Sequence, residues 1–370
     1  MKNILVIFGT RPEAIKMAPL VLKLKENTLL NTKLCVTAQH REMLDQVLHF
    51  FKLTADYDLD LMQKNQSLNK LASRILDAVD DVLLDFNPDV VLVHGDTTTS
   101  SMAALAAFHR NIKVAHVEAG LRTYNKHAPF PEEINRQLTA RLADYHFAPT
   151  IGAIENLIKN EGVRSENVYN TGNTVIDALL LGLQNINQQK DQIVKLKKYL
   201  VPNKRTILVT GHRRENFGDN FISLCKALNT LANREDVQIV FPVHLNPKIK
   251  DIAYDHLKAN ENIYLSEPLD YEAFIWIMNE CHFIITDSGG IQEEAPTLKK
   301  PVLVTRDLTE RMEAVDLRVV KLTGSAYDSI VKNSVALLEN KEFYNQMVSS
   351  FNPYGDGKTS EKIINILMKE

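Results

Sequence analysis

Acidic side chains in this chain recur at the ends of apolar runs that are typical of buried strands. Asp96 follows the run Val90–His94, Glu118 closes the run Val114–Glu118, and Glu132 lies at the predicted start of a helix. Acids at the carboxyl ends of neighbouring parallel strands lie in one crevice, where like charges raise each other's pKa. The pattern therefore indicates carboxylates that carry protons.

The same residues also fit a metal site or a purely structural role. His94 with Asp96 and His116 with Glu118 are i, i+2 pairs that could hold a metal, although neither spacing is as specific as HExxH or paired CxxC. Acids in the first turn of a helix also interact with the helix dipole, which accounts for Glu132 without any chemistry. Because three acid-bearing ends converge, we favour a catalytic site without a metal or other cofactor.

An anion-binding pattern occurs in the second half of the chain. The segment from Thr286 reads TDSGGIQEEAP, in which a strand ends and a helix begins. Gly289 and Gly290 would let bare backbone N–H groups approach a diphosphate, and Glu294 could accept hydrogen bonds from ribose hydroxyls. The alternative is that Asp287 and Ser288 merely cap the helix.

Arginines adjoin the same predicted strand ends, and arginine suits bidentate phosphate binding better than lysine. Arg11 lies in GTRPE, where Thr10 and Glu13 have capping-box spacing at a helix start. Further arginines follow later strands: Arg213, Arg214, Arg306 and Arg311. No GxGxxG follows the first strand, so the sequence does not predict NAD(P) binding.

Short apolar runs alternate with helical patterns along the whole chain, which predicts an α/β protein built from parallel βαβ units. The predicted strands are Ile4–Phe8, Leu34–Thr37, Val90–His94, Val114–Glu118, Tyr145–Ala148, Ile207–Thr210, Ile239–Val243, Ile263–Leu265, Phe283–Thr286 and Val302–Val304. The predicted helices include Ala14–Lys25, Leu68–Asp85 and Ser100–His109. The stretch Gln184–Lys204 lacks strand signals and is read as helical or loose surface.

The length of 370 residues fits two domains. We place an N-terminal Rossmann-like domain at 1–172, a C-terminal Rossmann-like domain at 173–355 and a final helix at 356–370 that returns to the first domain. Two doubly wound sheets of this kind are expected to face each other across a cleft at the carboxyl ends of their strands.

The composition excludes several classes of protein. The net charge of −3 gives no general attraction for nucleic acid or an anionic membrane. The apolar runs are far shorter than a membrane span, and Met1 leads directly into a strand-like segment without a signal-peptide pattern. Cys35, Cys225 and Cys281 show no pairing motif. We expect a cytoplasmic protein with reduced thiols.

Motifs spread over nearly the whole chain resemble those of the bacterial non-hydrolysing UDP-N-acetylglucosamine 2-epimerases. They are GTRPEAIKMAPLV from Gly9, AQHREMLDQVL from Ala38, LVHGDTTT from Leu92, HVEAGLRT from His116, PEEINR from Pro131, TGNTVIDAL from Thr171, GHRREN from Gly211, PVHLNP from Pro242, TDSGGIQEEAP from Thr286 and NPYGDGK from Asn352. The resemblance implies a two-domain GT-B-like fold, a homodimer and interconversion of UDP-GlcNAc with UDP-ManNAc for surface polysaccharide synthesis.

The resemblance also implies roles for individual residues. Asp96, Glu118 and Glu132 would transfer protons or stabilise the cation, and His212 would lie near the diphosphate. The substrate or UDP would be held by Arg11, Lys16, Arg136, Arg213, Leu269, Phe274, Ser288, Gly289, Gly290, Glu294 and Arg311. An activating second UDP-GlcNAc would bind near Gln46 and His244.

Three segments depart from the family pattern. Met312 stands where proline is usual, Asp316-Leu317-Arg318 replaces an acid-Ala-Gly segment, and Lys126-His127-Ala128 is unusual before the Pro-Phe-Pro turn.

The sequence leaves three rival functions open. They are a hydrolysing epimerase that releases free ManNAc and UDP, a GT-B glycosyltransferase, which would need an acceptor, and a non-catalytic nucleotide-sugar sensor.

Overall fold

The computed structural model describes residues 1–38, 41–63, 66–211, 213, 217–349 and 351–369. The chain divides into two compact units. Unit 1 comprises Met1–Leu181 and Tyr354–Glu370, and unit 2 comprises Gly182–Pro353. The first division falls within a helix, Thr174–Gln184, later than the predicted 172/173 boundary, and the second precedes the predicted segment 356–370.

The described residues of unit 1 form a seven-stranded parallel sheet in the order β3-β2-β1-β4-β5-β6-β7. Because the first strand lies in the middle and the order reverses there, the sheet is doubly wound as predicted. Its strands are β1 Lys2–Phe8, β2 Leu30–Val36, β3 Tyr57–Asp58, β4 Val90–His94, β5 Lys113–Val117, β6 Tyr145–Ala148 and β7 Val168–Asn170.

Helices connect these strands. They are α1 Arg11–Glu26, α2 Arg41–Phe50, α3 Leu68–Phe86, α4 Thr98–His109, α5 Glu132–Leu142, α6 Ile151–Glu155, followed by a π-helical turn at Asn156–Asn160 and a 3-10 turn at Ser165–Asn167, and α7 Thr174–Gln184. The predicted capping box at the start of α1 is confirmed, since the Thr10 side chain accepts from the Glu13 N–H and the Glu13 side chain accepts from the Thr10 N–H.

Unit 2 repeats the same topology in a six-stranded parallel sheet of the order β10-β9-β8-β11-β12-β13 within its described residues. Its strands are β8 Arg205–Thr210, β9 Val237–Pro242, β10 Ile263–Ser266, β11 Phe283–Thr286, β12 Val302–Val304 and β13 Val320–Leu322. Its helices are α8 Asp191–Tyr199, α9 Asp219–Ala232, α10 Pro247–Leu257, α11 Tyr271–Glu280, α12 Gly289–Glu294, a 3-10 turn at Ala295–Leu298, α13 Met312–Asp316, α14 Tyr327–Glu339 and α15 Lys341–Ser349. Two Rossmann-like parallel sheets are therefore confirmed.

Two details differ from the sequence interpretation. Glu118 lies outside its strand, because β5 ends at Val117 and Glu118 takes a left-handed backbone conformation with φ of 62°. The short edge strands β3, β7 and β13 were not predicted. Within Gln184–Lys204, a helix (α8) forms and buries Ile193 and Leu196.

The C-terminal helix, α16 Thr359–Lys369, packs within unit 1. Lys2 Nζ donates to the Leu367 carbonyl at 3.0 Å, and Asp177 on α7 accepts from the N–H groups of Thr359 and Ser360 at 3.2 and 2.8 Å. A buried carboxylate therefore caps the start of this helix.

Two further observations concern the rest of the described chain. None of its helices combines the length and the apolar character needed to cross a bilayer. The three cysteines are buried and unpaired, and burial raises the pKa of each thiol to about 12.

Candidate active site

Glu118 lies at the carboxyl end of β5 and is surrounded by groups from three other segments. Its Oε2 forms an ion pair with Lys16 of α1 and accepts a hydrogen bond from Asn173 Nδ2 at 2.8 Å. His94 Nε2, at the end of β4, lies 3.7 Å from the same oxygen. With 11% of the side chain exposed, the carboxylate is held in place yet remains accessible from solvent.

Asp96 follows the adjacent strand β4 after Gly95, whose φ of 63° provides the tight turn. Its carboxylate pairs with Arg136 of α5, and its carbonyl accepts from Asn135 Nδ2 at 3.0 Å. Burial raises the pKa of Asp96 above its ordinary value, and the charge of Glu118 adds to the rise, while Arg136 opposes it. Interacting carboxylates of this kind are suited to carrying a proton.

His94 and His116 are buried and uncharged. Burial lowers the pKa of His94 to about 4 and that of His116 to about 3. His116 Nε2 lies 2.7 Å from the Gly95 carbonyl, so this ring fixes the turn that carries Asp96. Among the described residues, no group of three or more His, Cys, Asp or Glu side chains is arranged to hold a metal.

Glu13 is a buried group of this site that the sequence interpretation treated only as part of a helix cap. Besides Thr10, it accepts from the Gly9 N–H at 3.1 Å, and across the sheet from Thr97 Oγ1 at 2.7 Å and Ser100 Oγ at 3.2 Å. Burial raises the pKa of Glu13 in spite of these hydrogen bonds. It therefore joins the end of β1 to the turn after β4.

The two acids at the start of α5 have different environments. Glu133 is fully buried and accepts from the N–H groups of Thr123 and Tyr124, both at 3.0 Å. Burial alone would raise the pKa of Glu133, but these hydrogen bonds lower it, so this carboxylate braces the preceding loop. Glu132 is half-buried and makes no hydrogen bond or ion pair to the described residues. It is therefore available to a ligand.

In unit 2, the turn after β11 combines two glycines with an arginine. The guanidinium of Arg311 lies against Gly289, where an added Cβ would come within 2.9 Å of Arg311 Cζ. Glu293 fixes that guanidinium, accepting from Arg311 Nε at 3.0 Å. A Cβ on Gly290 would meet nothing within 4 Å. The start of α12 is thus lined by a positioned cation and an open backbone.

The predicted alternative of a simple helix cap at this turn is contradicted for Ser288. Ser288 stands at the N-cap, yet its side chain makes no capping hydrogen bond. Asp287 instead accepts from the Arg213 N–H at 2.9 Å and so fixes the turn after β8. Arg213 Nε is buried without a hydrogen-bond partner in the described structure. His212 lies outside the described residues.

The remaining predicted residues lie as follows. Leu269 and Phe274 are half-buried at the start of α11, beyond the carboxyl end of β10. Glu294 is buried at the end of α12, and Arg306 follows β12 with an ion pair to Glu310. In unit 1, Arg11 is the first residue of α1 and Gln46 is exposed on α2, whereas His244 is exposed after β9 in unit 2. Arg214 lies outside the described residues.

Comparison with known proteins identifies close relatives over the whole chain. A family model described as UDP-N-acetylglucosamine 2-epimerase matches residues 22–368. A Campylobacter jejuni protein named UDP-N-acetylglucosamine 2-epimerase is 53% identical over 376 aligned residues, covering 100% of this chain and 98% of the relative. The crystal structure of UDP-GlcNAc 2-epimerase from Neisseria meningitidis bound to UDP-GlcNAc matches with a TM-score of 0.89 at 47% identity, covering 100% of both chains. The Methanocaldococcus jannaschii UDP-GlcNAc 2-epimerase in complex with UDP-GlcNAc and UDP matches with a TM-score of 0.81 at 32% identity, again covering 100% of both chains.

Proposed function

Because this chain belongs to the UDP-N-acetylglucosamine 2-epimerase family, we propose that it interconverts UDP-GlcNAc and UDP-ManNAc without net hydrolysis. The observation that carries the proposal is the pairing of two interacting carboxylates, Asp96 and Glu118, with the cations Arg136 and Lys16 at neighbouring strand ends. Carboxylates that interact with each other and with fixed cations are suited to removing a proton from a sugar carbon and returning it.

The chemistry explains why an anion site must accompany the acids. The hydrogen on carbon 2 is not next to a carbonyl, so a carboxylate cannot remove it unaided. When the C1–O bond to UDP breaks, its electron pair leaves with the diphosphate, and carbon 1 acquires oxocarbenium character. The proton on carbon 2 then passes to a carboxylate, which leaves 2-acetamidoglucal and UDP.

The return step inverts carbon 2. A proton is delivered to carbon 2 from the opposite face, and a UDP oxygen re-forms the bond to carbon 1, so atoms and charge balance without a cofactor. Two faces require two proton carriers, and we assign these roles among Asp96, Glu118 and Glu132. Glu132 has no partner among the described residues, which supports a role toward the ligand.

The diphosphate would be bound by residues of unit 2, with its leaving charge stabilised by preorganised donors. We assign Ser288, Gly289, Gly290 and Arg311 to this role, together with Arg213. The anchoring of Arg311 by Glu293 supports it, because a fixed guanidinium costs little reorganisation when the charge develops. Leu269 and Phe274 would contact the uracil and Glu294 the ribose. Arg11 of unit 1 would also contact the UDP part, and His212 would assist the leaving group.

Proton NMR in heavy water tests the proposal directly. We expect deuterium at carbon 2 of both nucleotide sugars and no free ManNAc. Release of free ManNAc with UDP would instead identify a hydrolysing epimerase. Epimerisation without any solvent deuterium at carbon 2 would contradict proton transfer altogether.

Four further features are proposed with this function. The enzyme would act as a cytoplasmic homodimer that supplies ManNAc units for surface polysaccharides. A second UDP-GlcNAc, bound near Gln46 and His244, would activate it. We expect UDP-ManNAc alone to react only after a lag that added UDP-GlcNAc abolishes, and analytical ultracentrifugation to give twice the mass of the chain. Absence of the lag would remove the activator site from the proposal.

A further inference from the structure

An asparagine at the start of α7 contacts both a candidate catalytic carboxylate and the chain that returns from unit 2. The Asn173 side chain, in a residue only 2% exposed, donates from Nδ2 to Glu118 Oε2 at 2.8 Å. Its Oδ1 accepts from the Val175 N–H at 3.0 Å, and its own N–H donates to the Tyr354 carbonyl at 2.6 Å. The amide is thus held at both ends, so its direction is fixed.

The backbone around Asn173 is packed against the returning chain. Gly172 has φ of 86°, and a Cβ there would lie 3.0 Å from Thr359 Oγ1 and 3.1 Å from the Tyr354 carbonyl oxygen. One turn further on, Asp177 caps the start of α16 through Thr359 and Ser360. The first turn of α7 is therefore clamped to the segment with which the chain re-enters unit 1.

Among the residues that the structure describes, titratable groups from α1 and from the end of β4 face Glu118. Lys16 of α1 supplies a positive charge on a flexible stem, and neutral His94 at the end of β4 lies 3.7 Å away. Asp96, after β4, adds an interacting negative charge. Asn173 differs from these groups in kind, because it is an uncharged donor to Glu118 whose amide oxygen is fixed by a backbone N–H.

We propose that Asn173 is a positioning residue, whose amide sets the orientation of the Glu118 carboxylate and ties it to the Tyr354 peptide. The inference rests on the proposed function, in which Glu118 carries a proton or stabilises the cation. A purely structural role would be that of a helix N-cap, since Oδ1 accepts from Val175.

Two substitutions separate these roles. Asn173→Ser and Asn173→Asp both keep a side-chain oxygen that caps α7, but neither keeps the amide donor to Glu118. For Asn173→Ser we expect kcat to fall about 10-fold with KM changed less than about 3-fold, because catalytic groups act only within a narrow geometry. For Asn173→Asp we expect a fall of about 100-fold, and the acid limb of the kcat profile should move up by about one pH unit through like-charge repulsion.

Asp177→Asn is the matched control. It loosens the same clamp through Thr359 and Ser360 without contacting Glu118. We expect a lower melting temperature, with kcat within about 3-fold of the wild type and the acid limb unmoved.

A readout independent of turnover completes the test. Isotope-edited infrared titration with 13C-labelled glutamate, assigned by Glu118→Gln, should show the Glu118 band titrating at higher pH in Asn173→Asp than in the wild type. Lack of deuterium exchange by the wild-type enzyme would defeat the proposed function, while the infrared shift would still test Asn173. Wild-type kcat and titration in both Asn173 variants, or the same shift in Asp177→Asn, would overturn the inference.

Discussion

The turns that follow β4 in unit 1 and β11 in unit 2 are topologically equivalent. They differ in whether a side chain accepts from the free N–H groups at the start of the next helix. In unit 1, the Thr97 side chain caps α4 by accepting from the Ser100 N–H. In unit 2, Ser288 makes no such bond and two glycines open α12. Because the start of α12 is not capped by its own side chain, its N–H groups can serve a ligand instead.

The charged groups beside these turns also differ in how their carboxylates and cations are paired. In unit 1, carboxylates pair with cations from neighbouring helices, Asp96 with Arg136 and Glu118 with Lys16. In unit 2, Glu293 instead serves to aim Arg311 across Gly289. In the proposed function, the first arrangement prepares acids for proton transfer, and the second presents a cation to the diphosphate. On that proposal, the same topology serves two kinds of chemistry.

The largest expected effect tests whether the acids of unit 1 act in turnover and not in UDP binding. We expect Glu118→Gln and Asp96→Asn each to lower kcat by about 10²–10⁴, or roughly 3–5 kcal/mol, because a proton carrier is lost. UDP affinity, measured by calorimetry, should change less than about 3-fold. Asp144→Asn is the control, since this carboxylate accepts from the Val114 N–H at the opposite end of β5 and should leave kcat unaltered. A loss of UDP affinity as large as the loss of kcat would contradict the assignment of proton transfer to unit 1 and UDP binding to unit 2.

Acid is expected to destabilise unit 1 more than unit 2. Burial lowers the pKa of His94 and His146 to about 4 and that of His116 to about 3, whereas unit 2 has one such group among its described residues, His282, at about 4. A depressed histidine pKa gives stability that is present above pH 6.5 and is lost as pH falls toward the folded value. Each of the three histidines of unit 1 therefore costs about 2 kcal/mol at pH 5, partly offset by the raised pKa values of Glu13 and Asp96.

Urea unfolding at pH 7 and pH 5 measures this difference, because the single tryptophan, Trp276, is buried in unit 2. We expect the far-UV circular dichroism transition to shift to lower urea more than the Trp276 fluorescence transition. His146→Asn should reduce the loss of unfolding free energy between pH 7 and pH 5, measured by circular dichroism, by about 2 kcal/mol. The loss measured by Trp276 fluorescence should stay unchanged. Equal shifts for both probes would contradict the comparison.

Sequence reasoning located the long elements well, and the reason is physical. Central strands such as β4 and β11 are continuous apolar runs because both of their faces are buried, so both were predicted to the residue. The edge strands β3 and β13 have only two and three residues and carry no such pattern, which is why they were missed. Edge strands are defined by their neighbour rather than by their own composition.

The site was predictable only in part. That acids follow β4 and β5 could be inferred from the sequence, because parallel strands bring their carboxyl ends together. Their partners could not, since Lys16 and Asn173 lie 102 and 55 residues from Glu118 in the chain. The left-handed backbone of Glu118 was equally hidden, because a glutamate rarely adopts it without tertiary support. The motif residues Gln39, His40 and His212 lie outside the described residues.

A smaller effect is expected at the glycine pair of unit 2. In Gly289→Ala, the new Cβ would displace the Arg311 guanidinium, so UDP affinity should fall about 10-fold, or about 1.4 kcal/mol. Since this loss acts through Arg311, the double variant with Arg311→Ala should bind no more weakly than Arg311→Ala alone. In Gly290→Ala, a Cβ meets only open space, so any loss would report a ligand occupying that space. Additive losses at Gly289 and Arg311 would show that they act independently.

The smallest effect concerns backbone strain, which the two units also use differently. Glu118 in unit 1 and Arg318 in unit 2 both have left-handed φ values, 62° and 60°. At Glu118 the side chain is a candidate catalytic group, so glycine cannot replace it. Arg318 is exposed, makes no side-chain hydrogen bond or ion pair with the described residues and stands where the family pattern has glycine. Arg318→Gly should therefore raise the free energy of unfolding by about 0.5–1 kcal/mol, because glycine adopts this conformation without strain. Lys52→Gly, at an exposed position in unit 1 with φ of 55°, is the matched control and should stabilise by a similar amount. If Arg318→Gly alone also alters UDP affinity, the strain at this position is functional, and unit 2 resembles unit 1 in that respect.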